Sequence, residues 1–233
     1  MLTEPLLTSR REDGLALPVL VWRATAPLRS VSSGPLGGGI GVRRWVLNAT
    51  VPMSYAREDP ADHLAELAGG LGLDGPGVGL LTGVDVAEVV SRTDAGVRAW
   101  ATVGLGTPVQ AAAPAEPAPA EPAAAPVGPA APGQRVGTVN IVVYVPARLG
   151  DAALVNAVAT ATEAKAQAIV ELGLAATGTP TDAVTVLCPA EGPEFAYGGP
   201  RSAWGAPLAR AVHAAVLAGG AGPVVPWSER LKG

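Results

Sequence analysis

An α/β or α+β domain, a mixed sheet with helices packed on it, is the fold class this sequence predicts, and three observations carry it. Two stretches, one on each side of a proline-rich segment, read strand, proline, helix, glycine–leucine and strand in the same order. Further short apolar runs of strand length surround them. A last apolar run near the C-terminus has the spacing of a helix.

Taken in chain order, strands are expected over residues 17–22 and 28–32. The first unit opens with a strand at 45–51 that meets Pro52. A helix follows, with Asp59 as its cap, Pro60 in its first turn and Asp62 at its third position. It ends at Gly69-Gly70-Leu71-Gly72-Leu73, before a strand at 78–84. Another strand is expected at 96–103. The second unit has a strand at 139–145 meeting Pro146, a helix from Asp151 to about Leu172, an ending at Gly173-Leu174 and a strand at 183–187. A C-terminal helix fits 207–218, with Pro207 near its start and Gly219-Gly220 past its end. The parallel order of the two units is the mark of a duplicated β-α-β unit, which places a cleft between them. Residues 108–134 are almost entirely Ala and Pro, which forbids helix and ladder pairing. They read as a disordered insertion between the halves of a single domain spanning residues 1–233.

Composition narrows the function. With 48% hydrophobic and 15% charged residues, the chain of 233 residues has material for one substantial core. Mean hydropathy is +0.32, but no window near twenty residues stays apolar without Pro, Gly or charge. The start, MLTEPLLTSRRED, lacks a basic end followed by an apolar run, so a cytoplasmic protein without membrane contact is expected. A net charge of −4 argues against a nucleic-acid partner. One cysteine, Cys188, and two histidines, His63 and His213, leave no cysteine cluster or histidine-rich metal site. Both histidines read as surface residues, and Cys188 as a small buried side chain. The chemistry falls to hydroxyls, carboxylates, a lysine or backbone donors.

The helix from Asp151 is the most informative segment. At 100° per residue, Asn156, Thr160, Glu163, Gln167 and Glu171 form one polar stripe, facing solvent, a ligand or a second subunit of a homo-oligomer. Leu154, Val158, Ala161, Ile169 and Leu172 gather opposite, and Lys165 lies in the middle of that apolar face. Its ammonium either snorkels to solvent or enters a polar cleft with an anionic partner. Thr177-Gly178-Thr179-Pro180-Thr181-Asp182 puts three hydroxyls and a carboxylate in one turn before a strand. The run Ser32-Ser33-Gly34-Pro35-Leu36-Gly37-Gly38-Gly39 lacks the ending of a phosphate-binding loop, and is either a ligand-approaching loop or a flexible turn. Asn48 and Thr50 share one face of the next strand, and Asn140 is their counterpart in the second unit. The segment EFAYGGPRSAWG, with Tyr197, Arg201, Ser202 and Trp204, either covers a large flat ligand or packs on the body.

Read in order, SSGPLGGGIG, WVLNATVP, GTVNIVVYVP, TATEAKAQA, TGTPTDAV and YGGPRSAWG resemble the adenosylcobinamide amidohydrolase family over about residues 31–218. The resemblance implies hydrolysis of the amide joining a corrin ring to its aminopropanol arm, giving adenosylcobyric acid and 1-aminopropan-2-ol for cobamide salvage. The corrinoid is then substrate and brings its own cobalt, so no cofactor or protein-bound metal is implied. It also brings forward Glu163, Lys165, Thr179, Thr181 and Asp182, with Pro180 at the variable position between the threonines. Ser32, Ser33, Gly38, Gly39, Asn48, Thr50, Asn140, Thr179, Tyr197 and Ser202 are the expected substrate contacts. Two schemes fit these residues. Either Asp182 or Glu163 activates water while Lys165 stabilises the oxyanion or protonates the amine, or Thr181 attacks with Lys165 as base. The competing reading is a corrinoid-binding or transport-accessory protein that does not hydrolyse.

Overall fold

The computed structural model describes residues 1–12, 14–114 and 137–222, so most of the Ala/Pro-rich segment lies outside the described residues. The chain runs β1 (Leu6–Glu12), β2 (Leu15–Ser32), β3 (Gly39–Thr50), α1 (Pro60–Gly70), β4 (Gly77–Thr82), a 3₁₀ turn (Val86–Glu88), β5 (Val90–Asp94) and β6 (Val97–Leu105). Then follow β7 (Gly137–Tyr144), β8 (Arg148–Leu149), α2 (Asp151–Glu171), β9 (Ala183–Pro189), β10 (Glu194–Phe195) and α3 (Gly205–Gly220). Eight of the strands build one mixed sheet in the order β4-β3-β2-β9-β7-β6-β5, with β1 added on β2, while β8 and β10 pair with each other. This is the expected mixed sheet with helices packed on it.

Both strand–helix–strand units are present, each joining parallel neighbours: β3 with β4, and β7 with β9. Their helices are unequal, 11 residues in α1 and 21 in α2. The two expected N-terminal strands are one long strand, β2, whose register against β3 shifts between Arg23 and Leu28. Pro27 lies in that interval, where a bulge removes the need for its missing N–H. Sequence reading missed β1 and β5. Both are short and rich in charged and hydroxyl residues, as exposed edges are.

Two helix ends also differ from expectation. Asp59 occupies the cap position of α1 but makes no capping bond. Arg57 takes both carboxylate oxygens instead, at 2.8 and 2.6 Å, which lowers the Asp59 carboxyl to about 2. The helix α3 runs on through Gly219 and Gly220. A Cβ at Gly219 would stand 2.8 Å from the Val103 side chain, so the glycines let this end press against β6.

Apolar residues from β6, β7 and β9 meet Ala153, Ala157, Ala161 and Ala168 of α2 and Leu208, Val212 and Val216 of α3 in the largest cluster. Alanine at so many inward positions permits close helix approach at no side-chain entropy cost. A separate cluster seats Leu64 and Ala68 of α1 on Val19, Val21 and Leu47. The third cluster gathers Leu20, Trp22, Val46, Val78, Leu80, Trp100, Val142 and Leu187 from strands far apart in the sheet order. Asn140 of β7 donates to the Leu81 carbonyl of β4 at 2.9 Å, although three strands separate β7 from β4 in the sheet. The sheet therefore curls around this third cluster. Among the described residues, no helix is long and apolar enough to cross a membrane.

Candidate active site

The curl and α2 together position the turn of residues 177–182 at the start of β9. Lys165 emerges from α2 between Ala161, Ala164 and Ala168, all buried, so its stem lies among methyl groups. Its side chain is only 7% exposed and its ammonium pairs with Asp182, which is 10% exposed. Of the two alternatives for this lysine, the structure takes the inward one.

Asp182 is held from several directions. One oxygen accepts the Val139 N–H at 2.8 Å and the Thr179 hydroxyl. The other accepts the Thr179 N–H at 3.0 Å and the Lys165 ammonium. A carboxylate offers about four acceptor positions, and these four donors fill them. Gly178 is needed for steric reasons, because a Cβ there would lie 2.5 Å from both Asp182 Oδ2 and Lys165 Nζ. The start of the Ala/Pro segment joins in. Val109 donates to the Gly178 carbonyl and accepts from Thr177 N–H, at 2.8 and 2.9 Å, which ties the start of this segment to the turn.

An open cleft of about 480 Å³ lies over this pair, lined by Glu163, Lys165, Gly178, Thr179, Pro180 and Asp182. Glu163 is exposed at its rim. A carboxylate free to hold water beside a buried, paired ammonium is an arrangement for activating an oxygen nucleophile and stabilising developing negative charge.

Thr181 faces away from this cleft. It donates to the Gly137 carbonyl at 3.1 Å and lies 2.6 Å from the Thr138 hydroxyl. With Asn140 it lines a second cleft of about 260 Å³. Asn48 stands behind Asn140, donating to Thr102 at 3.1 Å and accepting from Asn140 at 3.0 Å.

The remaining expected contacts line neither cleft. Ser32 bonds Thr185 and Gly34 N–H, and Ser33 accepts from Val184 N–H, so both hydroxyls fasten the Gly-rich loop to β9. Gly38 and Gly39 lead that loop into β3, and Thr50 braces the 3₁₀ turn through Val84 and Val86. Tyr197 is 77% exposed, while Ser202 accepts the N–H of Gly205 at the start of α3. The segment that carries both is pinned to the first half of α2 by Thr160, which donates to the Gly198 carbonyl at 2.9 Å.

Sequence reading passed over Tyr55 and Thr138 and set His63 aside as a surface residue. Thr138 is two residues from Asn140 on the same strand, a spacing of two that signals the shared face. His63 is not at the surface as expected. It is 2% exposed, bonded to the Tyr55 hydroxyl at 3.0 Å and 3.4 Å from a Glu12 carboxylate oxygen. Burial pushes its imidazolium form below the usual histidine range, against the opposing pull of Glu12. Burial likewise raises the Tyr55 phenol. No signal in the sequence links Tyr55 to this site. Among the described residues, no group of three or more His, Cys, Asp or Glu side chains is arranged to hold a metal ion.

A family model described as adenosylcobinamide amidohydrolase matches residues 5–222 of the chain. A protein of Methanosarcina mazei with that name is 31% identical over 199 residues, covering 82% of this chain and 88% of its own. Another so named, from Halobacterium salinarum, is 34% identical over 194 residues, covering 82% of this chain and 79% of its own.

Proposed function

The chain belongs to the adenosylcobinamide amidohydrolase family, enzymes that hydrolyse an amide, and on that premise we propose how its residues divide the work. The substrate is adenosylcobinamide, cut at the amide of its aminopropanol arm. The products are adenosylcobyric acid and 1-aminopropan-2-ol, and the acid re-enters cobamide assembly. The corrinoid carries its own cobalt as part of the substrate.

The saturation of Asp182 supports one assignment of roles. With all its acceptor positions filled, Asp182 anchors Lys165 and the turn and has none left for water. Glu163, exposed on the rim of the same cleft, is the base that activates the attacking water. Lys165 stabilises the oxyanion, and one of its hydrogens passes to the departing amine. Attack by Thr181 with Lys165 as base is less well supported, because these two side chains line different clefts.

The test is incubation with adenosylcobinamide and chromatography for adenosylcobyric acid. Glu163→Gln should lower kcat by about 100-fold or more while corrinoid affinity is kept, since the residue is exposed and its loss leaves the fold intact. Tight corrinoid binding without any product would establish a binding protein instead.

A further inference from the structure

The smaller cleft on the far side of the Thr181 turn takes no part in the chemistry proposed above, yet its polar groups form a consistent set. Tyr55, Thr82, Thr138, Asn140 and Thr181 line it, with Pro35, Val51 and Leu80 among its apolar walls. Asn140 is 2% exposed, and its Oδ1 is buried with no hydrogen-bond partner among the described residues. The orientation of this amide is fixed, because its nitrogen faces the Leu81 carbonyl, which can only accept. The orphan atom is therefore an oxygen, and a buried acceptor is destabilising until a donor is supplied to it.

The neighbouring hydroxyls have directed their protons into the protein. His63 Nε2 lies 3.4 Å from a Glu12 carboxylate oxygen, whose charge favours the tautomer with the ring proton on that nitrogen. In that tautomer the Tyr55 hydroxyl donates to Nδ1, and its own lone pairs remain for the cleft. Thr181 gives its proton to the Gly137 carbonyl, so in its contact with Thr138 it accepts. Thr138 has thus spent its proton too. Thr82 accepts from Val84 N–H at 3.1 Å and keeps a proton to give.

We infer that this cleft is a carboxamide-binding subsite, in which Asn140 Oδ1 and the Tyr55 oxygen accept the two N–H groups of a primary amide and the Thr82 hydroxyl donates to its carbonyl. A carboxylate of the same shape would set its oxygens against the two acceptors and is rejected. At about 260 Å³ the space suits a short side arm and not a macrocycle. The inference rests on the corrinoid reading only for the source of the arm, one of the unreacted peripheral amides of cobinamide. The subsite reports that the bound corrinoid is amidated there, while the scissile arm occupies the Lys165 cleft.

Propionamide and propionate, titrated separately into the isotope-labelled protein, test this directly. Propionamide should shift the Asn140 side-chain amide signals saturably, and propionate should bind at least about tenfold more weakly, the value of one good hydrogen bond exchanged for a repulsion. Tyr55→Phe should abolish most of that preference. In turnover it should raise KM for adenosylcobinamide about tenfold with kcat within about twofold of the original. Equal binding of the two probes, no saturable shift, or a preference unchanged in Tyr55→Phe would each overturn the subsite. The wild-type comparison stands even if the variant folds poorly. Propionamide preference in a protein that forms no adenosylcobyric acid would keep the subsite and remove the hydrolytic reading. Hydrolysis without that preference would do the reverse.

Discussion

The first strand–helix–strand unit buries a histidine and the second buries a lysine, and the two are stabilised by different physics. His63 in α1 is kept neutral, held between Tyr55 and Glu12 in a chain of hydrogen-bonding groups. Lys165 in α2 sits in an ion pair whose carboxylate is bound by three further donors from the turn and β7. Burial disfavours a charge, and it pushes the His63 imidazolium below its ordinary range. The difference lies in what the following chain supplies. After α2 a turn returns two threonines and an aspartate to the helix face, whereas α1 ends in glycines and returns nothing charged to His63. A charge can be carried inside this fold only where a full set of partners comes with it.

That contrast can be broken most forcefully at its charged end. Lys165→Met should lower turnover by at least about 100-fold, the size of losing one preorganised oxyanion donor, with corrinoid affinity largely kept. Near-normal kcat in steady-state assays would remove the lysine from the chemistry. Gly178→Ala comes next. Its methyl group would force Lys165 and Asp182 apart, and a loss of about 1–3 kcal/mol in urea unfolding is expected, with reduced turnover. An unchanged midpoint would show that the pair tolerates separation.

The neutral end sharpens the comparison through pH. His63 has a folded-state value below its ordinary 6.5, so the unfolded chain binds the proton more tightly. Stability from the neutral ring is complete above that ordinary value and is lost as pH falls below it toward the depressed one. Wild-type protein should therefore lose more stability between about pH 7 and 5 than His63→Asn, which keeps a hydrogen-bonding nitrogen but does not titrate. Parallel pH dependences of the two unfolding midpoints would contradict this. The smallest effect belongs to His213, paired with Glu171 at 2.8 Å on the exposed side of the helix pair. His213→Ala should leave both Tm and kcat unchanged within error, because exposed ion pairs contribute little.

Much of the candidate site was legible in residue order. Helical stepping from Asp151 placed Lys165 on the apolar face, and the residue types of 177–182 announced a polar turn; only the fold turned the ammonium inward onto it. The same stepping put Thr160 on a polar stripe open to solvent, a ligand or a second subunit, yet it is buried and donates to the Gly198 carbonyl, because a later loop covers that part of α2. Asn48 and Asn140 were paired by analogy of position, and the curled sheet makes the contact real at 3.0 Å. Ser32, Ser33 and Thr50 carried the right chemistry for ligand contact, but their hydroxyls are used up by backbone groups and other hydroxyls that only folding brings near.

Local order in the chain was enough for the mixed α/β class, both strand–helix–strand units and a lysine on the apolar face of its helix, because periodicity of two or 3.6 is a property of neighbours along the chain. The tertiary structure alone decided that Asp182 has its acceptor positions filled, that Tyr55 lines the second cleft while bonded to a buried His63, and that the side-chain oxygen of Asn140 has no partner among the described residues. Each of those facts is a hydrogen-bond balance among segments distant in sequence. Such a balance exists only once the sheet has curled and the partners of every buried polar atom have been fixed.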